Sequence, residues 1–414
     1  MTDKMQVNLR QVAMEILYEV QKNNGLLHVV LSDALKKYQY LDKNERSFIS
    51  RLVQGTEERK IELDYIIDSF SKTPVKKQKD VIRIILEMSV YQLKYMDSVP
   101  ASAVCNEAVK LAVKKNFGTL RGFVNGVLRN IARNIDNIEY PDKSTNTDKY
   151  LSVKYSVPEE LAGYFLKKFG DNKTEEMFEA FNKDKSTYIR CNTKKTDIAG
   201  LTAALEAEGV TVTNEGIDKR IDYALKISGY DYLGGLKSFR DGLFFVQDIS
   251  SMIASQGGFI KRDAYVIDVC AAPGGKSINA ALMADIGHVS SRDISGRKVS
   301  LIKENAERLG IDNITYKVWD AVKKDEESVE KADVLICDLP CSGLGIIGRK
   351  PDIKYNVTYE KIKELASGQL KDEANAWFVG EPFKVFYDYK KEGIWQLGEE
   401  AAAAAIPNNT LAVA

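Results

Sequence analysis

The 414-residue sequence predicts a multidomain protein with an all-α N-terminal domain, a small α+β subdomain and a C-terminal α/β domain with a Rossmann-like sheet. The length exceeds what one ordinary hydrophobic core supports. Apolar residues recur at helical spacing through the first 135 residues. From about residue 241, apolar strands alternate with helices, which is typical of a parallel sheet covered on both faces.

The N-terminal domain, residues 1–135, is predicted from successive amphipathic helices. Six apolar residues fall on one face of the first helix: Leu9, Val12, Ala13, Ile16, Leu17 and Val20. Further helices are predicted at 44–70, 79–96, 100–116 and 119–133. Pro100 suits the start of one of them and Gly118 suits the end.

A polar stretch at 136–150 predicts a linker, and residues 151–240 predict a small α+β subdomain. The elements predicted within this subdomain are helices at 158–169 and 197–208 and strands at 187–191 and 223–228.

The last domain, residues 241–414, contains four predicted strands and a helix at Gly296–Leu309. The strands are Tyr265–Val269, His288–Asp293, Ile314–Trp319 and Val334–Asp338. Four aspartates occupy the strand ends: Asp268, Asp293, Asp320 and Asp338. One such aspartate alone more often caps a turn or a helix. Because the carboxyl ends of parallel strands meet at one sheet edge, four together favour a ligand-binding crevice.

Composition restricts the kinds of protein that this sequence can encode. Lys plus Arg and Asp plus Glu each number 59, but 11 basic and 4 acidic residues lie between Lys72 and Arg129. That excess suits phosphate contact or a solvated helical surface. Five scattered cysteines, no membrane-length apolar run and no signal-peptide core predict a soluble cytoplasmic protein. Two histidines make a metal enzyme improbable.

The segment Asp268-Val-Cys-Ala-Ala-Pro-Gly-Gly-Lys-Ser277 predicts a cofactor loop between a strand and a helix. A nucleotide-binding P-loop requires glycine where Cys270 stands, and no G-x-G-x-x-G fingerprint for a dinucleotide occurs in this loop. S-adenosyl-L-methionine remains as the predicted cofactor. Asp293 is the candidate for the ribose hydroxyls and Asp320 for the adenine edge. The other candidate cofactor-binding residues are Cys270, Ala271, Ala272, Pro273, Gly274, Gly275, Lys276 and Asp338.

A second motif, Asp338-Leu-Pro-Cys-Ser-Gly-Leu-Gly345, places the Cys341 thiol just after a buried strand. A thiol at the same sheet edge as a cofactor loop suggests group transfer through a covalent intermediate.

These motifs resemble a known family. Asp268–Ser277, Asp338–Gly343 and Arg349-Lys-Pro-Asp-Ile-Lys354 resemble the RNA cytosine-C5 methyltransferases of the Sun/Fmu (NOL1/NOP2) family. Phe245-Val-Gln-Asp-Ile-Ser-Ser251 and Arg190-Cys-Asn192 resemble the sequence preceding that family's catalytic domain, which makes the small subdomain RRM-like. The motifs Pro100-Ala-Ser-Ala-Val-Cys-Asn-Glu-Ala-Val109 and Gly122-Phe-Val-Asn-Gly-Val-Leu-Arg129 resemble the NusB RNA-binding domain.

The resemblance implies a class I methyltransferase domain that acts on a cytosine of small-subunit (16S) rRNA. A thiolate would add to C6 of the base so that C5 can attack the methyl group, with Asp338 as the acid near the pyrimidine edge. In this family one cysteine attacks and another, here Cys341, assists product release. The attacking cysteine lies in a later Ser-Thr-Cys motif, and this sequence has no cysteine after Cys341.

The junction between Leu370 and Lys371 therefore suggests an internal loss of roughly 30 residues, about one helix–strand unit. The sheet is then expected to be incomplete and to expose an edge, and turnover is expected to be weak or absent. Cys341 is the one thiol placed for attack. Two functions stay open: a monomeric rRNA methyltransferase, and a non-catalytic RNA-binding protein that keeps a degenerate methyltransferase domain.

Overall fold

A computed structural model describes residues 7–365, except 24, 184, 185, 218, 258, 259, 322, 324, 329 and 330, together with 410–413. Contacts divide the chain into two units. We call Met1–Lys185 with Ser342–Ile362 the helical unit, and Ser186–Cys341 with Lys363–Ala414 the sheet unit. The Leu370–Lys371 junction lies outside the described residues.

The described part of the helical unit begins with ten α-helices. They are α1 (Leu9–Asn23), α2 (Leu27–Lys37), α3 (Lys43–Glu58), α4 (Lys60–Phe70), α5 (Asp80–Tyr95), α6 (Ala101–Lys114), α7 (Arg121–Asn134), α8 (Thr147–Tyr155), α9 (Glu159–Phe169) and α10 (Asp171–Phe181). The predicted helix at 44–70 is two helices, because Arg59 leaves the helical conformation at φ −102° and ψ 10°. The predicted apolar face of α1 is confirmed: Val12, Ala13, Ile16, Leu17 and Val20 are buried.

Two hydrophobic cores hold the helical unit together. The first joins α1 to α7 and includes the fully buried Leu17, Ile49, Ile66, Ile85 and Leu128. The second joins α8, α9 and α10 through residues such as Leu151, Phe165 and Phe178, with Ile347 from the segment 342–362. The helices α8–α10 therefore pack within the helical unit, which differs from the expected subdomain start at residue 151.

The segment expected as a linker is attached to the helices. The Tyr140 hydroxyl donates a hydrogen bond to the buried Glu62 carboxylate, and the Tyr65 hydroxyl donates to the Glu139 carbonyl at 2.9 Å. The Tyr65 and Tyr140 rings stack with centroids 6.5 Å apart. These contacts restrain residues 139–140, so this part of the segment is ordered along α4.

The sheet unit contains strands and helices in alternation. In chain order they are β1 (Thr187–Cys191), α11 (Ile198–Ala207), β2 (Thr211–Thr213), β3 (Ala224–Ser228), α12 (Lys237–Arg240), β4 (Phe244–Val246), α13 (Ile249–Gly257), β5 (Tyr265–Asp268), α14 (Gly275–Met283), β6 (His288–Asp293), α15 (Gly296–Leu309), β7 (Ile314–Val318) and β8 (Val334–Cys337). A short helix α16 (Ile353–Asn356) belongs to the helical unit, and β9 (Thr410–Val413) ends the described chain.

The first sheet is antiparallel, with strand order β2-β3-β1-β4. In β1, Arg190 pairs with Ala224 on one side and with Phe245 on the other. The hydrophobic core beside this sheet includes Ile189, Leu205 and Phe244. Because β4 pairs with β1, this sheet extends past residue 240, where the small subdomain was expected to end.

The second sheet is parallel, with strand order β7-β6-β5-β8-β9, and confirms the predicted Rossmann-like α/β class. One face packs Val266, Val289 and Ile302, while the other packs Ile267 and Leu335. Burial on both faces explains why β5 and β8 are near-continuous apolar runs, whereas β6 buries the polar residues Ser290, Ser291 and Arg292.

The edge of β8, where an exposed edge was expected, is covered by β9, which is the last strand of the sheet in the described residues. Strand β9 pairs with β8 in parallel, with Val334 opposite Thr410 and Cys337 opposite Val413. The sequence Thr-Leu-Ala-Val is β-branched and aliphatic and suits a parallel strand. Within the described residues, no helix combines the length and the hydropathy that a bilayer span requires.

Candidate functional site

The cofactor loop joins the end of β5 to the start of α14. Gly274 adopts φ +104°, a conformation that residues with side chains rarely take. A Cβ atom at Gly274 would lie 3.1 Å from the Ile302 Cγ2 atom and 3.2 Å from the Ile278 Cδ1 atom. Glycine is therefore required here both by the backbone conformation and by the close packing of α14 and α15.

A buried hydrogen bond closes this loop. The Ser277 hydroxyl in α14 donates to the Asp268 Oδ2 atom at 2.6 Å. The pKa of the Asp268 carboxyl is raised to about 7, chiefly by burial and also by the nearby Asp338 carboxylate, against the lowering effect of the Ser277 hydrogen bond. The Asp268 Oδ1 atom is buried and has no hydrogen-bond partner among the described residues. Such an atom is ready to accept from a bound ligand.

A cleft of about 190 Å³ lies over this loop. Its lining contains seven residues that the sequence had singled out: Asp268, Ala271, Ala272, Pro273, Gly275, Lys276 and Asp338. It also contains Phe245, Val246, Gln247, Asp248 and Ser251, which come from β4 and the start of α13. The carboxyl ends of β5 and β8 therefore share one cleft with the segment that follows the small antiparallel sheet.

One ion pair crosses the floor of the cleft. The Lys276 Nζ atom lies 2.5 Å from the Asp338 Oδ2 atom, with the lysine side chain 11% exposed and the aspartate side chain 42% exposed. The pair leaves part of the Asp338 carboxylate open to the cleft. Because one partner is accessible, an incoming charged group can compete for either member of the pair.

The other singled-out residues lie outside the lining of the cleft. The buried Asp293 carboxylate accepts from the Ala272 backbone N–H at 3.4 Å and lies 3.5 Å from the Lys298 Nζ atom. Asp320 is half-buried beyond the end of β7, and Cys270 is half-buried within the loop. Gly274 also lies outside the lining, and Cys341 is exposed. Two of the four strand-end aspartates, Asp268 and Asp338, thus line the same cleft.

Arg190, which the sequence placed in a family-like motif but not among the candidate site residues, contacts the start of α14 beside this cleft. Its side chain is 2% exposed, and its Nη1 atom donates to the Gln247 Oε1 atom at 2.5 Å and to the Gly275 carbonyl at 2.9 Å. Burial lowers the pKa of the Arg190 guanidinium to about 10. The guanidinium carbon lies 5.6 Å from the centre of the Phe245 ring. Alternation along β1 places Arg190 on the face opposite the core residues Ile189 and Cys191, so its burial was not predictable from the strand pattern.

Two buried nitrogens of Arg190, Nε and Nη2, and the Gln247 Nε2 atom have no hydrogen-bond partner among the described residues. Gln247 lines the cleft directly, so its amide is available to a ligand. Among the same residues, no cluster of histidine, cysteine, aspartate and glutamate has the arrangement of a metal site.

Comparisons with known proteins agree with this architecture. The NusB family matches residues 7–133, and the family described as 16S rRNA methyltransferase RsmB/F matches residues 260–376. The chain is 35% identical over 365 residues to a probable ribosomal RNA small subunit methyltransferase B of Bacillus subtilis, covering 88% of this chain and 80% of that protein. The similar protein of Synechocystis is 32% identical over 369 residues, with 87% and 80% covered.

A solved structure shares the fold. The crystal structure of PH0851 superposes with a TM-score of 0.72 at 23% identity, covering 92% of this chain and 85% of that one.

Ionisation of Asp268 should make stability depend on pH. Because the folded-state pKa of about 7 lies above the ordinary value of 3.8, stability should fall as pH rises through this interval. Asp268→Asn keeps an acceptor for Ser277 and has no proton to lose. Between pH 5 and about pH 7, the free energy of unfolding of the wild type should fall by up to about 1.4 kcal/mol per pH unit more than that of the variant.

Urea titration at each pH, followed by circular dichroism, measures this difference. The exposed Asp263→Asn variant serves as the control and should keep the wild-type profile. Parallel profiles for the wild type and Asp268→Asn would contradict the raised pKa.

Proposed function

Because the chain belongs to the ribosomal RNA small subunit methyltransferase B family, we propose that it transfers a methyl group from S-adenosyl-L-methionine to C5 of a cytosine in small-subunit rRNA. The observation that carries the proposal is the cleft in which the glycine-rich loop, Asp268 and Asp338 come together at the carboxyl end of the parallel sheet. Open α/β sheets bind ligands at this edge.

The chemistry of the cleft fits the proposed cofactor. S-adenosyl-L-methionine carries a sulfonium and an ammonium group, which suit the partly exposed Asp338 carboxylate and the unpartnered Asp268 Oδ1 atom. Its carboxylate suits the first turn of α14, where Gly275 and Lys276 line the cleft. The Gln247 Nε2 atom is buried and has no hydrogen-bond acceptor among the described residues, so it adds a neutral hydrogen-bond donor.

The nucleoside part of the cofactor would extend from the loop towards the ends of β6 and β7. Asp293 follows as the acid for the ribose hydroxyls, because its carboxylate already contacts the loop at Ala272. Ile294 and Val318 are apolar yet 64% and 56% exposed, and they flank this region as surfaces for the adenine ring. Asp320 would hold the adenine edge.

The proposed reaction uses a cysteine thiolate. The thiolate adds to C6 of cytosine, and the electron pair that reaches C5 attacks the methyl carbon and displaces S-adenosylhomocysteine. Loss of the C5 proton to a base then expels the thiolate and restores the ring. Asp338 would hold the pyrimidine edge while the ring carries the extra charge.

Cys341 is the exposed cysteine among the five, while Cys105, Cys191 and Cys337 are buried. The reaction calls for two cysteine roles, attack and product release, and no cysteine follows Cys341 in the sequence. We therefore expect turnover far below that of a chain with both thiols. We expect the protein to work without a metal, as a cytoplasmic monomer.

The helical unit offers a surface for RNA. An open groove of about 530 Å³ lies between α6 and α7, and its lining includes Lys110, Arg121 and Arg129 together with the amides of Asn106 and Asn125. Cations next to side-chain amides suit phosphate and ribose contacts. The same groove supports the second candidate, a non-catalytic RNA-binding protein.

Cofactor binding provides the first test. Isothermal titration of the whole chain should detect S-adenosyl-L-methionine, and Asp293→Ala should weaken binding by about tenfold or more because charge-assisted hydrogen bonds to the ribose are lost. Asp312→Ala removes an acid that is 83% exposed and should bind the cofactor as the wild type does. Absence of binding to the wild type would favour the RNA-binding candidate.

Methyl transfer provides the second test. With radiolabelled S-adenosyl-L-methionine and small-subunit rRNA, incorporation should be weak, should appear as 5-methylcytosine, and should vanish in Cys341→Ser. Cys105→Ser changes a thiol of the helical core and should keep the residual activity. Label on another base would contradict the assignment to C5. Incorporation at a normal rate would contradict the expected need for a second thiol.

RNA binding provides the third test. Combined Arg121→Ala and Arg129→Ala should lower the affinity for a small-subunit rRNA fragment and reduce the slope of log K against log salt by about one to two. Fluorescence anisotropy at several salt concentrations measures both quantities. Lys36→Ala alters a lysine that is 71% exposed on α2 and should leave both unchanged. Equal losses in Lys36→Ala and the double variant would remove the groove from the RNA site.

A further inference from the structure

The motif Arg349-Lys-Pro-Asp-Ile-Lys354 has no part in the cleft described above. It lies in the segment Ser342–Ile362, which follows Cys341 directly and belongs to the helical unit by its contacts. Asp352 and Lys354 are 5% and 2% exposed, although charged residues of these types are rarely buried without partners. Both residues contact the helical unit, although the Asp352 Oδ1 atom is buried and has no hydrogen-bond partner among the described residues.

Asp352 lies at the N-terminus of α2. Its Oδ2 atom accepts a hydrogen bond from the backbone N–H of Leu27, the first residue of that helix, at 3.3 Å. Leu26, which precedes α2, offers no side-chain cap, and the first turn of α2 contains no acidic residue. A carboxylate at a helix N-terminus satisfies a free N–H group and is stabilised by the helix dipole. Asp352 thus supplies the cap that the local sequence of α2 lacks.

Whereas Asp352 lies at the N-terminus of α2, Lys354 lies at the C-terminus of α3. Its Nζ atom donates to the Glu58 carbonyl, in the last residue of α3, at 2.6 Å. The Tyr355 hydroxyl donates to the adjacent Glu57 carbonyl at 2.9 Å. The last turn of α3 contains no basic residue of its own. A cation is stabilised at a helix C-terminus, where the carbonyls lack partners within the helix.

The residue between the two charges is apolar and packs in the second core of the helical unit. Ile353 contacts that core, and its Cδ1 atom leaves only 3.0 Å for a Cβ atom at Gly343. Two opposite charges therefore match two opposite helix ends, with an apolar anchor between them. Removing one partner of such a buried polar contact costs more than losing an exposed ion pair.

We propose that Asp352, Ile353 and Lys354 are positioning residues that fix the segment after Cys341 on α2 and α3, so that the helical unit restrains the Cys341 thiol. The idea rests on the proposed function only in treating Cys341 as the reactive thiol. The helical unit would then have a role in setting the active-site thiol in addition to its proposed contact with RNA. In this arrangement the covalent continuity from Cys341 to Ser342 transmits the restraint.

The rate of Cys341 alkylation tests the proposal without cofactor or RNA. Iodoacetamide labelling of the whole chain, resolved by mass spectrometry, reports each cysteine separately. In Lys354→Met and Asp352→Ala the segment should leave its site more often, and Cys341 should react about threefold faster or more. Lys361→Met makes the same chemical change at an exposed position of the same segment and should match the wild type.

Cys105, which is 3% exposed in the core of the helical unit, reports on unfolding in the same sample. It should stay protected in every variant. If Lys354→Met exposes Cys105, that variant has partly unfolded and its Cys341 rate is set aside. The Cys341 rate of the milder Asp352→Asn, which keeps an acceptor for Leu27, then tests the proposal. A lower melting temperature with an unchanged rate at Cys341 would show that these residues only cap helices and would overturn the proposal. Failure of methyl transfer would leave this measurement unaffected.

Discussion

The buried hydrogen bond between Ser277 and Asp268 is the constraint on which the candidate site depends. It ties the first turn of α14 to the end of β5 at 2.6 Å and so restrains the loop between them. Gly274 allows that loop to turn at positive φ against Ile302. The same bond keeps one oxygen of Asp268 occupied, while the other is buried without a hydrogen-bond partner among the described residues, in a residue that lines the cleft. Loop geometry and ligand chemistry therefore come from the same carboxyl group.

The charges around the loop are arranged asymmetrically. On one side Lys276 pairs with Asp338, whereas on the other side Arg190 binds the neutral Gln247 and the Gly275 carbonyl. No carboxylate pairs with Arg190 in the part of the chain that the structure describes. A fully buried cation without a counter-charge is costly, and its lowered pKa reflects that cost. The arginine nevertheless links β1 of the antiparallel sheet to the start of α14, so the small sheet supports the cofactor loop.

Sequence periodicity predicted the elements that bury a wide apolar face. The limits of α5, α6, α7 and α15 and of the strands β5 to β8 agree with their predicted positions within a few residues. Helix α10 was missed because only Thr174 and Phe178 of its eleven residues are buried, which leaves too thin a stripe to detect. The strand-end aspartates were placed correctly along the chain. Their partners were not predictable, since Lys276 and Ser277 reach them only through the folded loop.

The caps on α2 and α3 show a second limit of local reasoning. The first turn of α2 contains no acidic residue, and the last turn of α3 contains no basic residue. Asp352 and Lys354, far along the chain, supply these charges. In the sequence, Asp352 and Lys354 are two charged residues of a short motif, and their spacing does not show whether they bind a ligand or cap helices. Burial and helix polarity distinguish the two roles, and both are properties of the folded chain.

Strand β9 illustrates that the sheet and the proposed reaction place different demands on the sequence. Pairing with β8 needs backbone groups and a short segment of suitable β-propensity, and Thr410–Val413 meets that need. Any short segment with suitable β-propensity can therefore pair with β8. A nucleophilic thiol depends on one side chain at one position, and no cysteine follows Cys341. Backbone pairing is generic while catalysis is specific to particular residues, so the sheet and the proposed reaction depend on different parts of the sequence.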